Sequence, residues 1–565
     1  MVVNLLSRID FKASLFGCNF MFNTINLKVL FLYLSLFCLM LIYFPNSGGV
    51  GVALPWNLLF IGWVGIAVIM LARHKKVTFA HVDRQPLLTI GGILLSLPWL
   101  IQARDNPGVW ALLVGLFLWW ILLRITINHD NKKIILLGIF GLSLSQSLIC
   151  LIQAFLPHAA SQLYQFDWLF NHGRPYGIFQ QINLLASFLA TGMGCGVLLL
   201  TQEIRWRWCI AYALGLGLLA FVLAINQSRA GAIGAGLITV LLSLIHWRMS
   251  WQRIVAALTI IAIFAFAGWY ITHHIQIVIN GVPYVLARDY AASTHERWKI
   301  LAITWQMIMQ KPWGGWGYGT FEYAFSRYVL SHPECNYTYS SIITHPHNEL
   351  LYAWFQGGIV ALAGLVLLFC GWVSIIFHAG KRGLLAISYA LLIIPLLVHL
   401  NLEYPFYQSL IHFGLFIVLL RLGCNENSNP VKTAPLTPRL TLITGSLLVG
   451  FSMVGFYTAN QLTGYERNGM LDFPNPAPLY FFTQFDRAKF DAMVALLIDF
   501  NQTHNQADLE KFMTQAEDWS SRHNDYKVWL NMMMIARYYG EQKKLAVMER
   551  EYPRLFPLQT QWKTK

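Results

Sequence analysis

Long apolar runs recur along the chain, separated by short polar breaks. Runs near 27–44, 54–72, 87–103, 108–127, 134–156, 181–201, 207–225, 231–247, 254–272, 348–377, 383–400, 405–421 and 440–460 reach or approach the roughly 20 residues a helix needs to cross a bilayer. This predicts an all-α polytopic membrane protein of about 12–13 transmembrane helices. Three polar stretches interrupt it, at 158–179, at 273–347 and after 460. Within the last, 508–522, 526–539 and 541–552 place apolar residues at helical spacing, which predicts amphipathic helices without a fixed repeat period. The expected order is a cytoplasmic N-terminus 1–26, a bundle 27–272 with an outer loop 158–179, a large outer loop 273–347, further spans 348–460, and a C-terminal helical domain 461–565 on the outer side. Pro430, Pro435 and Pro438 mark Cys424–Arg439 as an extended connector.

Composition agrees with this class. The chain is 56% hydrophobic and 12% charged, against about 25% charged in soluble domains. A net charge of +14 would suit a nucleic-acid binder, yet no polar stretch carries a basic stripe with interleaved aromatics, so nucleic acid is not an expected partner. The positive charges instead alternate by side. With the N-terminus inside, the inner loops hold Arg73, Lys75, Lys76 and Arg84, then Arg124, Lys132 and Lys133, then Arg205 and Arg207, Arg248 and Arg253, Lys381 and Arg382, and Lys432 flanked by Arg421 and Arg439. The short outer loops carry only Arg104, Arg174 and Arg229. The first run reads as an uncleaved span, and Met1 and Met21 are both candidate starts. Eight cysteines without paired CxxC spacing argue against a zinc or redox site. Only Cys335 falls outside, so no structural disulfide is expected.

This topology gathers the unusual polar residues on the outer side. Gly173-Arg174-Pro175-Tyr176-Gly177 leads to Gln181 and Asn183. It reads either as a re-entry turn with a helix cap or as Arg174 and Gln181 meeting a polar ligand. Arg229, beside Ala230 and Gly231, either snorkels to headgroups or offers a guanidinium fork to phosphate oxygens. Arg297 opens an aromatic helical stretch and cannot face its neighbour Glu296; Arg288 is a weaker candidate. His345-Pro346-His347-Asn348-Glu349 closes the large loop and opens an apolar helix. Metal ligation, a structural cap and a general base all fit it. The base is preferred, since a neutral imidazole accepts a proton near pH 7. Together these residues point to group transfer from a membrane-bound diphosphate, whose departure needs cations more than a proton donor.

In this order the motifs resemble the bacterial O-antigen ligase and O-linked oligosaccharyltransferase superfamily, and within it the PglL-type protein glycosyltransferases. The resemblance rests on Arg174 to Asn183, Ser228-Arg229-Ala230-Gly231, Glu296-Arg297-Trp298 followed by Pro312 to Gly319, and His345 to Glu349. Leu402-Glu403-Tyr404-Pro405 and the polar tail point to the protein-modifying branch. The resemblance implies a multi-pass enzyme of the bacterial inner membrane with its active site facing the periplasm. It would move a glycan from undecaprenyl diphosphate to serine or threonine of an exported protein such as a type IV pilin, using no cofactor and no metal. By motif position His347 is the catalytic histidine. Arg229 and Arg297 take the donor diphosphate, with Arg174 grouped beside them. Gln181, with Gln180 as its alternative, and Tyr404 position substrate, and His345 and Glu349 are expected to position the reacting groups too. Ile182 stands where many relatives carry proline.

Two other functions use the same features. An O-antigen ligase or polymerase would present a sugar hydroxyl as acceptor. A transporter of lipid-linked sugar is less favoured, because the polar residues cluster at one surface and no internal repeat is evident.

Overall fold

The structure, a computed structural model, describes residues 34–73, 80–81, 85–103, 106–279, 281–286, 291–337, 342–426, 431–432 and 436–559. The N-terminus 1–26 with Met21, the first part of the span 27–44, and Lys75, Lys76, Arg84, Arg104, Arg288, Pro430 and Pro435 lie outside the described residues.

Each apolar run from 54 onwards becomes helix, and the described part of the run 27–44 is helical over 34–39. The membrane helices are α1 (Pro55–Ala72), α2 (Pro86–Gln102), α3 (Pro107–Leu122) and α4 (His129–Phe155). A short α5 (Pro157–Tyr164) precedes α6 (Ile182–Gln202), α7 (Trp206–Asn226) and α8 (Arg229–His274). The large loop holds a hairpin, β1 (Gln276–Ile279) and β2 (Val282–Val285), then α9 (Ala291–Gln310) and α10 (Phe321–Ser331). Membrane helices resume as α11 (Glu349–Gly380), α12 (Leu384–Leu391), α13 (Ile394–Leu400), α14 (Leu410–Gly423) and α15 (Leu436–Arg467). Among the described residues, α1, α4, α6, α7, α8, α11 and α15 are long and apolar enough to cross a bilayer, and α2, α3, α12–α13 and α14 are shorter apolar helices. The fold is therefore all-α and polytopic.

The runs 231–247 and 254–272 are the two helical arms of α8, which meet at a kink at Ser250 (φ −143°, ψ 21°) with no loop between them. Two expectations change in detail. The run 383–400 is split into α12 and α13, with Pro395 in the first turn of α13. The run 405–421 begins with one turn, Pro405–Gln408, before α14 proper.

Packing centres on α6, whose apolar span is buried throughout. Small residues let the other helices close in. At the crossing of α2 and α11, Gly91 lies so close to Gly364 that an added Cβ would come 2.8 Å from its carbonyl oxygen. At the end of the bundle opposite the site, arginines staple helix ends: buried Arg421 donates to the carbonyls of Leu122 and Ile125 and pairs with Glu426. After α15 come α16 (Phe485–Thr503), α17 (Gln506–Ser520), α18 (Tyr526–Tyr538) and α19 (Gln542–Leu555), each packed on the next. This helical unit docks on α10 through Asn524 with Glu322 and Ser326, and Arg554 with the Leu330 carbonyl.

Helix α11 breaks at Gly358 (φ 62°, ψ −156°). Three backbone groups at the break find partners in the segment Trp313–Gly317. The carbonyls of Phe355 and Gln356 accept from Trp316 and Gly317, and Ile359 N–H donates to the Trp313 carbonyl. Irregular backbone at membrane depth is tolerated only when satisfied in this way. Only glycine adopts this backbone region without a cost of roughly 1–3 kcal/mol, and a Cβ would also collide with the Trp313 carbonyl. Gly358→Ala is thus expected to lower the melting temperature and the monodisperse yield. Gly380→Ala, where a Cβ meets nothing within 4 Å, is expected to leave both unchanged. Thermal unfolding of the two purified variants checks this.

Candidate active site

The re-entry turn 173–183 is knitted to the end of α7. Arg174 is buried and donates from Nε to the Asn226 carbonyl, while Asn226 Nδ2 donates to the carbonyls of Pro175 and Ile182. Gln181 caps α6, its Oε1 accepting from Leu184 N–H. One residue into α6, Asn183 faces outwards: Oδ1 accepts from the Ser228 hydroxyl at 2.7 Å, and Nδ2 donates to Glu403 Oε1 at 3.1 Å. Ser228 is itself the N-cap of α8, which makes the exposed Arg229 the first residue of that helix, beside this chain of bonds.

Glu403 gathers the rest. It follows α13, is buried, and takes Arg297 Nη2 on Oε1 at 3.0 Å. His347 Nδ1 lies 3.6 Å from the same oxygen and His345 Nε2 lies 3.5 Å from Oε2. The His345 ring packs on Tyr404, 3.6 Å between centroids, and against His347 at 4.3 Å. His347 sits at φ +58°, a left-handed conformation that costs a non-glycine residue about 1–2 kcal/mol. That turn sends its ring towards Glu403 while Asn348 caps α11 through Leu351 N–H.

The acid against the histidines is therefore Glu403, not the sequence neighbour Glu349. Glu349 is the first residue of α11 and points elsewhere, accepting from the Tyr407 hydroxyl at 3.2 Å. Of the residues read from the sequence, His345, His347, Arg297 and Tyr404 converge. Arg229 stands one residue from the network. Gln181 and Glu349 face an adjacent cavity, and Arg174 is engaged with α7. Asn183, Ser228 and Glu403 stand in the motifs read from the sequence but carry no assigned role there.

Burial opposes charge on both partners of the His345–Glu403 contact. It pushes the His345 imidazole down to about 4, against the opposing pull of the Glu403 carboxylate. For Glu403 burial acts against ionisation, but the contacts from His345 and His347 outweigh it and hold the carboxyl well below the usual carboxylate range. The site at pH 7 is thus a neutral His345, a Glu403 carboxylate and an Arg297 cation. His345, His347 and Glu403 could by distance hold a metal ion, their nearest ligand atoms all lying within 4.8 Å. However, Arg297 and Asn183 already occupy Oε1 of Glu403, and a divalent ion there would stand against a guanidinium. With Nδ1 turned to a carboxylate, His347 has Nε2 to receive a proton.

Beside this cluster lies a cavity of about 740 Å³. Gln181, Thr344, Glu349 and Tyr404 line its polar end, and Leu112, Leu365, Phe369, Phe413 and Phe416 line an apolar end among α3, α11 and α14. It fits an amphipathic ligand with a polar head at the site and a hydrocarbon portion at membrane depth.

A buried neutral His345 has a pH signature. The unfolded chain binds its proton near the ordinary value of about 6.5, the folded chain only near 4. Between these the unfolded state holds more protons, so folding stability falls as pH drops through that window. The melting temperature of the wild type is expected to fall more steeply between pH 6.5 and 4 than that of His345→Gln. Parallel curves for the two proteins would show that the imidazole is not held neutral.

Comparison with known proteins meets this geometry. Residues 214–366 match the family described as O-antigen ligase. Residues 388–559 match the C-terminal family of virulence-factor membrane-bound polymerases, and 175–200 a protein glycosylation ligase family. The chain is 23% identical to the general O-oligosaccharyltransferase of Acinetobacter baylyi over 462 residues, 76% of each chain. It is 39% identical to an O-antigen ligase of Salmonella typhimurium over 67 residues, 12% of this chain and 16% of that protein. The matched segments carry the converging residues: Arg297, His345 and His347, with Arg229, fall within 214–366, and Glu403 and Tyr404 fall within 388–559. With the polytopic helical fold, this makes the chain a PglL-type member of the O-antigen ligase superfamily, a multi-pass membrane glycosyltransferase.

Proposed function

We propose that the enzyme moves an oligosaccharide en bloc from undecaprenyl diphosphate to a serine or threonine hydroxyl of an exported protein, for which a type IV pilin is a candidate. The observation that carries this reading is the Glu403 cluster, a histidine and an arginine on one carboxylate, beside a cavity with a polar end and an apolar end. His347 acts as general base and takes the acceptor proton. The acceptor oxygen attacks the anomeric carbon as the bond from that carbon to the diphosphate oxygen breaks, and undecaprenyl diphosphate leaves with the electron pair. Arg297 and Arg229 stabilise the charge that builds on it. Tyr404 and Gln181, at the cavity's polar end, position the substrates, as does Glu349; His345 and Glu403 orient His347. Arg174 contributes indirectly, by holding the re-entry turn. Direct displacement inverts the anomeric centre.

The arginine and lysine asymmetry between the two ends of the bundle supports an inner-membrane enzyme with the site, the loop 273–347 and the domain 461–565 in the periplasm. The match of 214–366 to O-antigen ligases supports a second reading, in which the acceptor hydroxyl belongs to a sugar. Co-expression with a lipid-linked glycan and an exported acceptor, followed by intact-mass analysis, distinguishes them. A glycan-sized mass increase on the protein is expected; unmodified protein beside extended or lipid A-linked glycan would favour the second reading.

His347→Ala is expected to abolish transfer with membrane expression preserved, a loss of about 10²–10⁴-fold for a general base. Glu403→Gln should lower kcat by about 10–100-fold, the usual cost of losing an orienting partner. Arg229→Ala and Arg297→Ala should chiefly weaken use of the lipid donor. Single-turnover assays on purified variants read these effects, and full transfer by His347→Ala would remove the base assignment. Activity is expected to survive EDTA; loss restored by added metal would revive the His345–His347–Glu403 set as a metal site.

A further inference from the structure

Helix α9 has two apolar faces. One is buried, with Ile300, Ile303, Met307 and Ile308 packed on Phe321 and Phe355. The other is uncovered: Trp298 is 69% exposed, Trp305 47%, and Met309 is exposed with them. Steps of seven and eleven residues return to nearly the same side of a 3.6-residue helix, so these three form one stripe. Trp313, 77% exposed, extends it past the helix end. A helix wholly in water has no use for a second stripe of tryptophan.

The stripe is continuous with a surface that already faces lipid. Trp305 packs edge-on to Trp354 of the membrane helix α11, and the Trp354 indole donates to the Pro312 carbonyl. Ile359 of α11 donates to the Trp313 carbonyl. From there α11 presents Ile359, Val360 and Val366 outwards, the lipid-facing side of a span. Tryptophan is the side chain that settles where headgroups meet acyl chains.

We propose that α9 is a membrane-surface helix whose Trp298–Trp305–Met309 stripe, with Trp313, lies in the headgroup–acyl boundary of the leaflet on the site side. Arg297, next to Trp298 and turned inwards to Glu403, is thereby fixed at headgroup depth. The helix is then an anchor for the large loop as well as the carrier of a site residue.

The test uses the full-length protein in phosphatidylethanolamine–phosphatidylglycerol vesicles, with its other cysteines replaced and a nitroxide attached at Trp305→Cys. Met309→Cys on the same stripe covers a failure of the first variant to fold. Glu334→Cys, in the exposed turn after α10, is the aqueous control. Collision rates with oxygen, which partitions into lipid, and with a water-soluble nickel chelate are measured by power saturation. A several-fold higher ratio of oxygen to nickel collisions at Trp305→Cys and Met309→Cys than at Glu334→Cys is expected. Ratios equal to the control would place the stripe in water and overturn the proposal. Shielding from both reagents would also overturn it, by showing that protein covers the stripe.

Discussion

A buried carboxylate is expensive unless donors and a countercharge reach it, and Glu403 is reached from every side of the site. Asn183 comes from the start of α6, Arg297 from α9 in the large loop, and His345 and His347 from the segment before α11. Glu403 itself follows α13, its N–H donating to the His399 carbonyl. Removing any one partner leaves charge less well compensated. The loop thus meets the bundle at one carboxylate, to which it brings Arg297, His345 and His347.

The bundle supplies the fixed platform for that docking. Helix α6 is enclosed by α4, α7, α8 and α13, and its polar side chains are answered inside the membrane. His399 contacts the Ser187 hydroxyl at 2.7 Å, and His412 bridges the Ser409 hydroxyl and the Leu184 carbonyl. These bonds tie α13 and α14 to the same turns of α6 that carry Gln181 and Asn183 outwards. The level of Glu403 relative to Asn183 is thus set by buried hydrogen bonds, which in a low-dielectric interior are costly to leave unmade.

The membrane made most of the fold legible. A helix must be apolar for a bilayer's length, so each apolar run predicted a helix, and accuracy was lost where a break is not encoded in hydropathy, as between α12 and α13 within the run 383–400. The site was legible in its cations and histidines, because charge and imidazole stand out against apolar sequence. Its organising acid was not. Glu349 lies two residues from His347, but the cap at Asn348 starts a helix whose first turn carries Glu349 away to Tyr407. Glu403 arrives from beyond α11 and α12, inside the motif Leu402-Glu403-Tyr404-Pro405, and nothing local ties it to the histidines. A signal was available: a glutamate at the outer end of an apolar run is costly unless paired, and the unpaired outer cation Arg297 needed an acid. Gln181 illustrates the converse, since its capping bond to Leu184 N–H is local and is one of the two readings the sequence allows; the bond of Arg174 to the Asn226 carbonyl crosses to α7 and has no local mark.

The Arg297–Glu403 pair bears on how a cationic site can turn over. Only contacts that strengthen in the transition state speed the chemical step, and an isolated guanidinium would hold the product diphosphate as firmly as the departing one. On the proposed reading, Glu403 tempers Arg297 in the resting site. As the acceptor proton moves to His347, an imidazolium forms 3.6 Å from the same carboxylate oxygen and draws on its charge. The hold of Glu403 on Arg297 then weakens at the moment when negative charge develops on the leaving oxygen. Proton transfer on one side of the carboxylate and charge stabilisation on the other are coupled through a single oxygen, and the coupling relaxes when the proton leaves, releasing the product.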